Sequence, residues 1–273
     1  MKNKKNIQIL VIGFLALVIV GLLGIFISQN ESKSDKNTAS SSSSSASAKA
    51  TSVDTKVTDQ SALDALTFPQ LSTEIADDEA EVEIDTSAGN ITIKLFPKQA
   101  PLAVENFLAL AKSQYYNNNE FYRVIKDFMI QTGDPTNTGT GSKSVVNGNQ
   151  AFTTEISNQL YNIRGALSLA NSGAENSSSS QFFIVQNPQD MSSQLPSTFL
   201  YPAKIKEAYK SGGYPKLDGS YTVFGQVVSG MDVVDKIADG KVKSNDTGEN
   251  SKPETPYSIS SIKILKDWDF TAK

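Results

Sequence analysis

The 273-residue chain carries 25 Lys and Arg against 29 Asp and Glu, a formal charge of −4, and contains neither cysteine nor histidine. That balance argues against a nucleic-acid partner, because phosphate contacts need clustered cations. The two missing side chains exclude disulfides, thiol nucleophiles, a lipid-modified cysteine, His-based metal sites and hydrolases that use an imidazole base.

Ile7 to Ile27 is an apolar run broken only by Gln8, and Lys2, Lys4 and Lys5 precede it. The run is long enough to cross a bilayer, for which about 20 residues suffice. The lysines place the N-terminus inside and everything after Ser28 outside. Residues 1–29 are therefore expected to act as a membrane anchor, giving a single-pass protein of the cell membrane with an extracytoplasmic C-terminal domain. The alternative is a cleaved signal and a secreted product, but Phe26-Ile27-Ser28-Gln29 offers no small-x-small site. Residues 30–60, with six serines from Ser40 to Ser45 and then Ala46-Ser47-Ala48, have nothing to bury and read as a disordered linker. Some thirty such residues span on the order of 30 Å. Residues 61–79 form a short arm with Leu63, Leu66, Phe68, Leu71 and Ile75. At its end, Asp77-Asp78-Glu79 reads as a solvated acidic run rather than a metal site.

The folded domain is expected over 80–268. Val82 and Ile84, then Ile91, Ile93 and Leu95, alternate on either side of Ser87-Ala88-Gly89-Asn90, which predicts a hairpin. Pro101 starts a helix running to about Lys112, with Ala103, Phe107 and Leu110 on one face. Strands are predicted near 121–131, 152–156, 166–170, 181–186, 222–228 and 259–266. Asp232 is the expected cap of a helix ending at Gly240. Many short strands and two helices predict a mainly β fold, a closed or nearly closed antiparallel barrel capped by helices. Phe199 to Lys210 looks helical and is ended by Gly212-Gly213.

The stretch Phe121 to Asp134 alternates like a strand yet mixes Arg123 and Gln131 with large apolar side chains. By strand periodicity Phe121 and Arg123 share one face, Tyr122 and Val124 the other, and Met129 and Gln131 share a face after the Lys126-Asp127 break. Three more blocks follow: Gly165 to Gly173, Ser180 to Val185, and Leu217 to Gly225. In this order the four blocks resemble the cyclophilin family of peptidyl-prolyl isomerases, over about 80–266. The resemblance implies a closed eight-stranded antiparallel barrel with two helices, and a peptidyl-prolyl cis-trans isomerase without metal or cofactor. Its partners would be proline-containing unfolded or exported polypeptides, whose folding it would assist. A proline-segment binding or chaperone module with negligible turnover is the alternative; a surface adhesion protein is a more distant one.

Isomerisation needs no nucleophile. The prolyl amide must be twisted over a barrier of about 18–20 kcal/mol. An apolar pocket and a fixed donor that favours the twisted amide are enough. By resemblance, Arg123 is the catalytic donor to the prolyl nitrogen, and Gln131 positions it and touches substrate backbone. Phe128, Met129, Phe183 and Leu217 line the proline pocket. Ala170, Asn171 and Gln181 hold the flanking peptide, Asn171 largely through its main chain, and Tyr221 supplies an aromatic wall where many members have histidine. Lys216 stands where many have tryptophan, so cyclosporin-type inhibitors are expected to bind weakly. Ser177 to Ser180 replaces a more usual Asn-Gly pair. Residues 187–215 carry about twenty residues more than compact members have there, either lining the groove or decorating the surface. Gly139 to Ser144 superficially resembles a phosphate-binding loop, but Ser142 and Asn137 occupy its obligatory glycine positions. It reads as a glycine-rich turn.

Overall fold

The computed structural model describes residues 59–271; the expected anchor and nearly all of the expected linker lie outside them. Among the described residues no helix is long and apolar enough to cross a membrane. In chain order the elements are α1 (Gln60–Asp64), β1 (Ala80–Thr86), β2 (Gly89–Leu95), α2 (Pro101–Lys112), β3 (Arg123–Ile125), β4 (Met129–Thr132), β5 (Ala166–Leu169), β6 (Phe182–Val185), α3 (Ala203–Ala208), β7 (Val223–Ser229), α4 (Met231–Ala238), β8 (Val242–Ser244), β9 (Asn250–Pro253) and β10 (Ile259–Lys266).

Eight strands form one curled antiparallel sheet in the order β10-β1-β2-β7-β5-β6-β4-β3, and β8 and β9 make a separate hairpin. The edges, β3 and β10, share no ladder, so the barrel expected as closed is a curled sheet with a short seam. That seam is a bridge between Glu120 and Ser258, supported by Phe121 N donating to Tyr257 O and Ile259 N donating to Asn119 O, both at 2.9 Å. Alternation in the first hairpin buries Val82, Ile84, Ile91, Ile93 and Leu95. Phe107 of α2 meets the rings of Phe182 and Phe224 at 5.4 and 5.5 Å, sealing one mouth of the curl.

Several expectations are corrected. The strand predicted near 152–156 is a single bridge, Phe152 with Ser178. Here the Glu155 carboxylate turns away to accept Leu102 N at 3.0 Å and Ala103 N at 2.9 Å at the start of α2, while Glu155 N donates to the Thr222 hydroxyl at 2.8 Å. Gly230, at φ 90, caps α4, and Asp232 lies in the first turn, where its charge suits the helix dipole. The helix expected over 199–210 shrinks to α3 and a following 3-10 turn, because Pro202 disfavours helix at the residue before it. In the acidic run, Asp78 is half-exposed and pairs with Lys98 at 3.0 Å, but Glu79 is buried and pairs with buried Lys94 at 3.3 Å.

The arm and the insertion pack on each other. Phe68, Tyr161, Ile163, Met191, Tyr201, Ile205 and Tyr209 form one buried cluster. Arm residue Gln70 donates to Tyr161 O and to Gln226 Oε1, each at 2.9 Å. Leu71 remains exposed.

Burial pushes the Glu155 carboxyl up from 4.5 to about 7, against the pull of its two backbone donors. Folding therefore takes up a proton between about pH 4.5 and 7, and stability falls as pH rises through that window. The loss is on the order of 3 kcal/mol at 1.36 kcal/mol per unit. Thermal melting should be higher at pH 5 than at pH 8, and Glu155→Gln should flatten that difference. An unchanged slope in the variant would assign the titration elsewhere.

Candidate active site

Register sets the site. Arg123 lies opposite Gln131, and Ile125 opposite Met129; Gln131 lies opposite Phe183, and Met129 opposite Val185. Directly paired residues share a face, so Arg123, Gln131 and Phe183 form one row and Ile125, Met129 and Val185 the next. Val124, Ile130 and Ile184 point the other way, into the main core. Asp127, at φ 59, makes the break between β3 and β4. One expectation fails here: Phe121 sits in the core with Val124 rather than beside Arg123. The regular strand begins only at Arg123, so alternation cannot be extended back to Phe121.

The apolar floor joins buried Met129, Phe183, Leu217, Val223 and Phe96 with half-buried Phe128, Ala170, Tyr214 and Tyr221. Phe183 and Tyr221 meet edge to face at 5.6 Å. Above the floor lies a polar rim. Gln131 Oε1 accepts from Arg123 Nη1 at 3.2 Å. Gln131 Nε2 donates to the Tyr122 hydroxyl at 2.5 Å, which in turn donates to Gln181 Oε1 at 2.5 Å. Gln181 Nε2 donates to Gly139 O at 3.1 Å and Gly141 O at 2.8 Å, holding the glycine-rich turn against the strand. Ala170 N donates to Gln181 O at 2.9 Å. Asn171 stands at the edge, its Nδ2 donating to Ser220 O at 2.9 Å. The ten expected site residues thus gather along one face.

Three neighbours had no distinctive sequence signal. Alternation assigns Tyr122 to the opposite face, yet its hydroxyl joins the rim. Tyr214, near the end of the insertion, places its ring centroid 4.4 Å from that of Phe128. Glu249 reaches in from the turn before β9. Its carboxylate accepts Arg123 Nε and Nη2, each at 2.7 Å, and the Arg123 guanidinium holds it below the usual glutamate range.

The wall behind Leu217 is built by Asp218, whose Oδ1 accepts Asn162 N at 2.8 Å and Nδ2 at 3.0 Å. Its Oδ2 accepts the hydroxyls of Tyr201 at 3.0 Å and Tyr209 at 2.6 Å. Burial raises the Asp218 carboxyl in spite of these four donors. Tyr201 and Tyr209 belong to the insertion, which therefore braces the pocket. Lys216, one residue earlier, points into solvent.

Chemically the site offers an apolar cup with one oriented cation at its lip. Arg123 spends three N–H groups on Glu249 and Gln131. Its Nη1 also lies 3.8 Å from Met129 Sδ, a weak acceptor on the cup wall.

Residues 81–264 match the family model described as cyclophilin type peptidyl-prolyl cis-trans isomerase/CLD. A Staphylococcus saprophyticus protein named as a peptidyl-prolyl cis-trans isomerase is 45% identical over 203 residues, covering 73% of this chain and 98% of its own length. A similarly named Staphylococcus aureus protein is 46% identical over 201 residues, covering 72% and 98%. Among solved structures, a Cryptosporidium parvum cyclophilin type peptidyl-prolyl cis-trans isomerase is 32% identical with a TM-score of 0.54, covering 69% of this chain and 99% of its own. The same protein crystallised in the presence of the dipeptide Ala-Pro gives 33% identity and a TM-score of 0.53, covering 68% and 99%. With an apolar cup, an oriented arginine and relatives matched over nearly their full length, the chain belongs to the cyclophilin-type peptidyl-prolyl cis-trans isomerases.

Proposed function

We propose that this isomerase works outside the cytoplasm, held to the membrane by residues 1–29 and a 30–60 tether, where it speeds X-Pro isomerisation in exported polypeptides and so assists their folding. The pyrrolidine ring sits on Phe128, Met129, Phe183 and Leu217, beside the wall of Tyr221. Gln131, Ala170, Asn171 and Gln181 hold the flanking backbone. As the amide twists, its nitrogen becomes pyramidal and basic, and Arg123 Nη1 donates to it. This interaction exists only in the twisted state, so it lowers the barrier rather than merely tightening binding. The observation that carries the reading is the Nη1 group placed at 3.8 Å from Met129 Sδ, over the apolar cup. The solved relative crystallised with Ala-Pro supports the substrate class.

Location is tested by fractionation. Isomerase activity should stay with membranes in high salt and leave with detergent, and protease added from outside should release it by cutting the tether. A mature N-terminus between Ser28 and Lys49 would show a cleaved signal instead.

A further inference from the structure

Glu249 lies at the turn of the β8–β9 hairpin, outside all four sequence blocks that carry the family likeness, and 126 positions from the arginine it grips. The grip is two-pronged. Both carboxylate oxygens are engaged, by Nε and Nη2 at 2.7 Å each, and the two side chains are only 14% and 23% exposed. An exposed ion pair would mean little. This one is bidentate and largely screened from water, the geometry in which such pairs become stronger and directional.

The base of the grip is also fixed. Asn245 Oδ1 accepts Thr247 N at 3.0 Å and Glu249 N at 2.9 Å. Asn245 N and Ser251 N both donate to Glu249 O, at 2.8 and 3.0 Å. Gly248, at φ 85, supplies the left-handed residue that closes the turn. Glu249 is thus presented from a tied turn, not from a loose loop.

We infer that Glu249 is a positioning residue for the isomerase reaction: its carboxylate takes the Nε–Nη2 edge of Arg123 and leaves the Nη1 edge facing the proline cup. An arginine side chain has many rotamers, and only a narrow set brings Nη1 over the cup. Gln131 alone holds the guanidinium at one point, about which it can pivot. Adding the two Glu249 contacts fixes both its plane and its rotation, which is the preorganisation that positioned catalysis requires. The carboxylate also tempers the charge on Arg123, an effect that by itself would weaken the donor, and the Glu249→Ala rate decides which effect wins.

This inference rests on the reading of Arg123 as the donor, and a four-member cycle in the full chain separates the two. Wild type, Glu249→Ala, Arg123→Ala and the double variant are compared for kcat/KM on a proline peptide, for peptide affinity by titration, and for melting temperature. Glu249→Ala should lower kcat/KM by about tenfold, within the roughly 10²-fold that misplacing a catalytic group by about 1 Å can cost. The loss should fall on kcat, with peptide affinity within twofold, because the cup is untouched. In the Arg123→Ala background the same change should cost less than twofold, since a residue acting through Arg123 has nothing left to position. If Glu249→Ala melts early, Glu249→Gln is used in the same cycle. An equal cost in both backgrounds, wild-type kcat/KM, or a faster enzyme would each overturn the inference while leaving Arg123 as donor. Activity within twofold of wild type in Arg123→Ala would instead overturn the reading on which the inference stands.

Discussion

Arg123→Ala is expected to lower kcat/KM for proline-peptide isomerisation by about 10²–10³, the usual cost of removing one transition-state donor, equal to about 2.7–4 kcal/mol. The fold should survive. The aliphatic stem contributes little to the main core, which is built from Val124, Ile130 and Ile184 on the opposite face of the same strands. Truncation does leave Glu249 without its partner, but at 23% exposure that carboxylate can regain water. Peptide affinity should fall far less than turnover, because the cup of Phe128, Met129, Phe183 and Leu217 remains. Rates within a factor of two of wild type, with unchanged circular dichroism, would remove Arg123 from the mechanism.

The second large effect concerns cyclosporin-type ligands. Such a ligand is large and apolar, and by family resemblance tight binders pack it against an indole at the position of Lys216. Here Lys216 is exposed just after the insertion, and the ring packed on Phe128 is that of Tyr214, with centroids 4.4 Å apart. Tyr214 covers Phe128 but cannot place an indole N–H where Lys216 stands. The missing aromatic area and donor, plus a cation that must lose water or swing aside, sum to about 1.5–3 kcal/mol. That is roughly ten- to a hundredfold in affinity. Small proline peptides reach less of this wall, so turnover is spared. Inhibition of the wild type should be weak, and Lys216→Trp should gain sensitivity without gaining much activity. Low-nanomolar inhibition of the wild type would contradict this, and an unresponsive Lys216→Trp would turn attention to Tyr214 and residues 187–215.

The parts of this fold written in local patterns were readable. The β1–β2 hairpin follows from apolar alternation around a turn, and α2 from Pro101 and its apolar face. The placement of Met129, Gln131 and Phe183 follows from register between short strands. What escaped was set by distant partners. Around Glu155 the backbone N–H goes to the Thr222 hydroxyl and the carboxylate to two N–H groups at the start of α2, partners that no local pattern announces. Glu79 is buried because Lys94 is there to meet it. Tyr122 breaks the expected alternation because the ladder starts one residue later. Glu249 carries no local mark of its role at all; only the three-dimensional approach of the β8–β9 turn to β3 reveals it. The insertion, whose pattern showed a helix but not a purpose, proves to brace Asp218 and to deliver Tyr214.

A structure of this protein with a bound Ala-Pro dipeptide is the decisive measurement. The pyrrolidine ring is expected on Phe128, Met129, Phe183 and Leu217, with Arg123 Nη1 the nearest donor to the prolyl nitrogen and Glu249 still clasping Nε and Nη2. A ring seated elsewhere, or an arginine released from Glu249 and turned away from the nitrogen, would rule out Arg123 as the positioned donor.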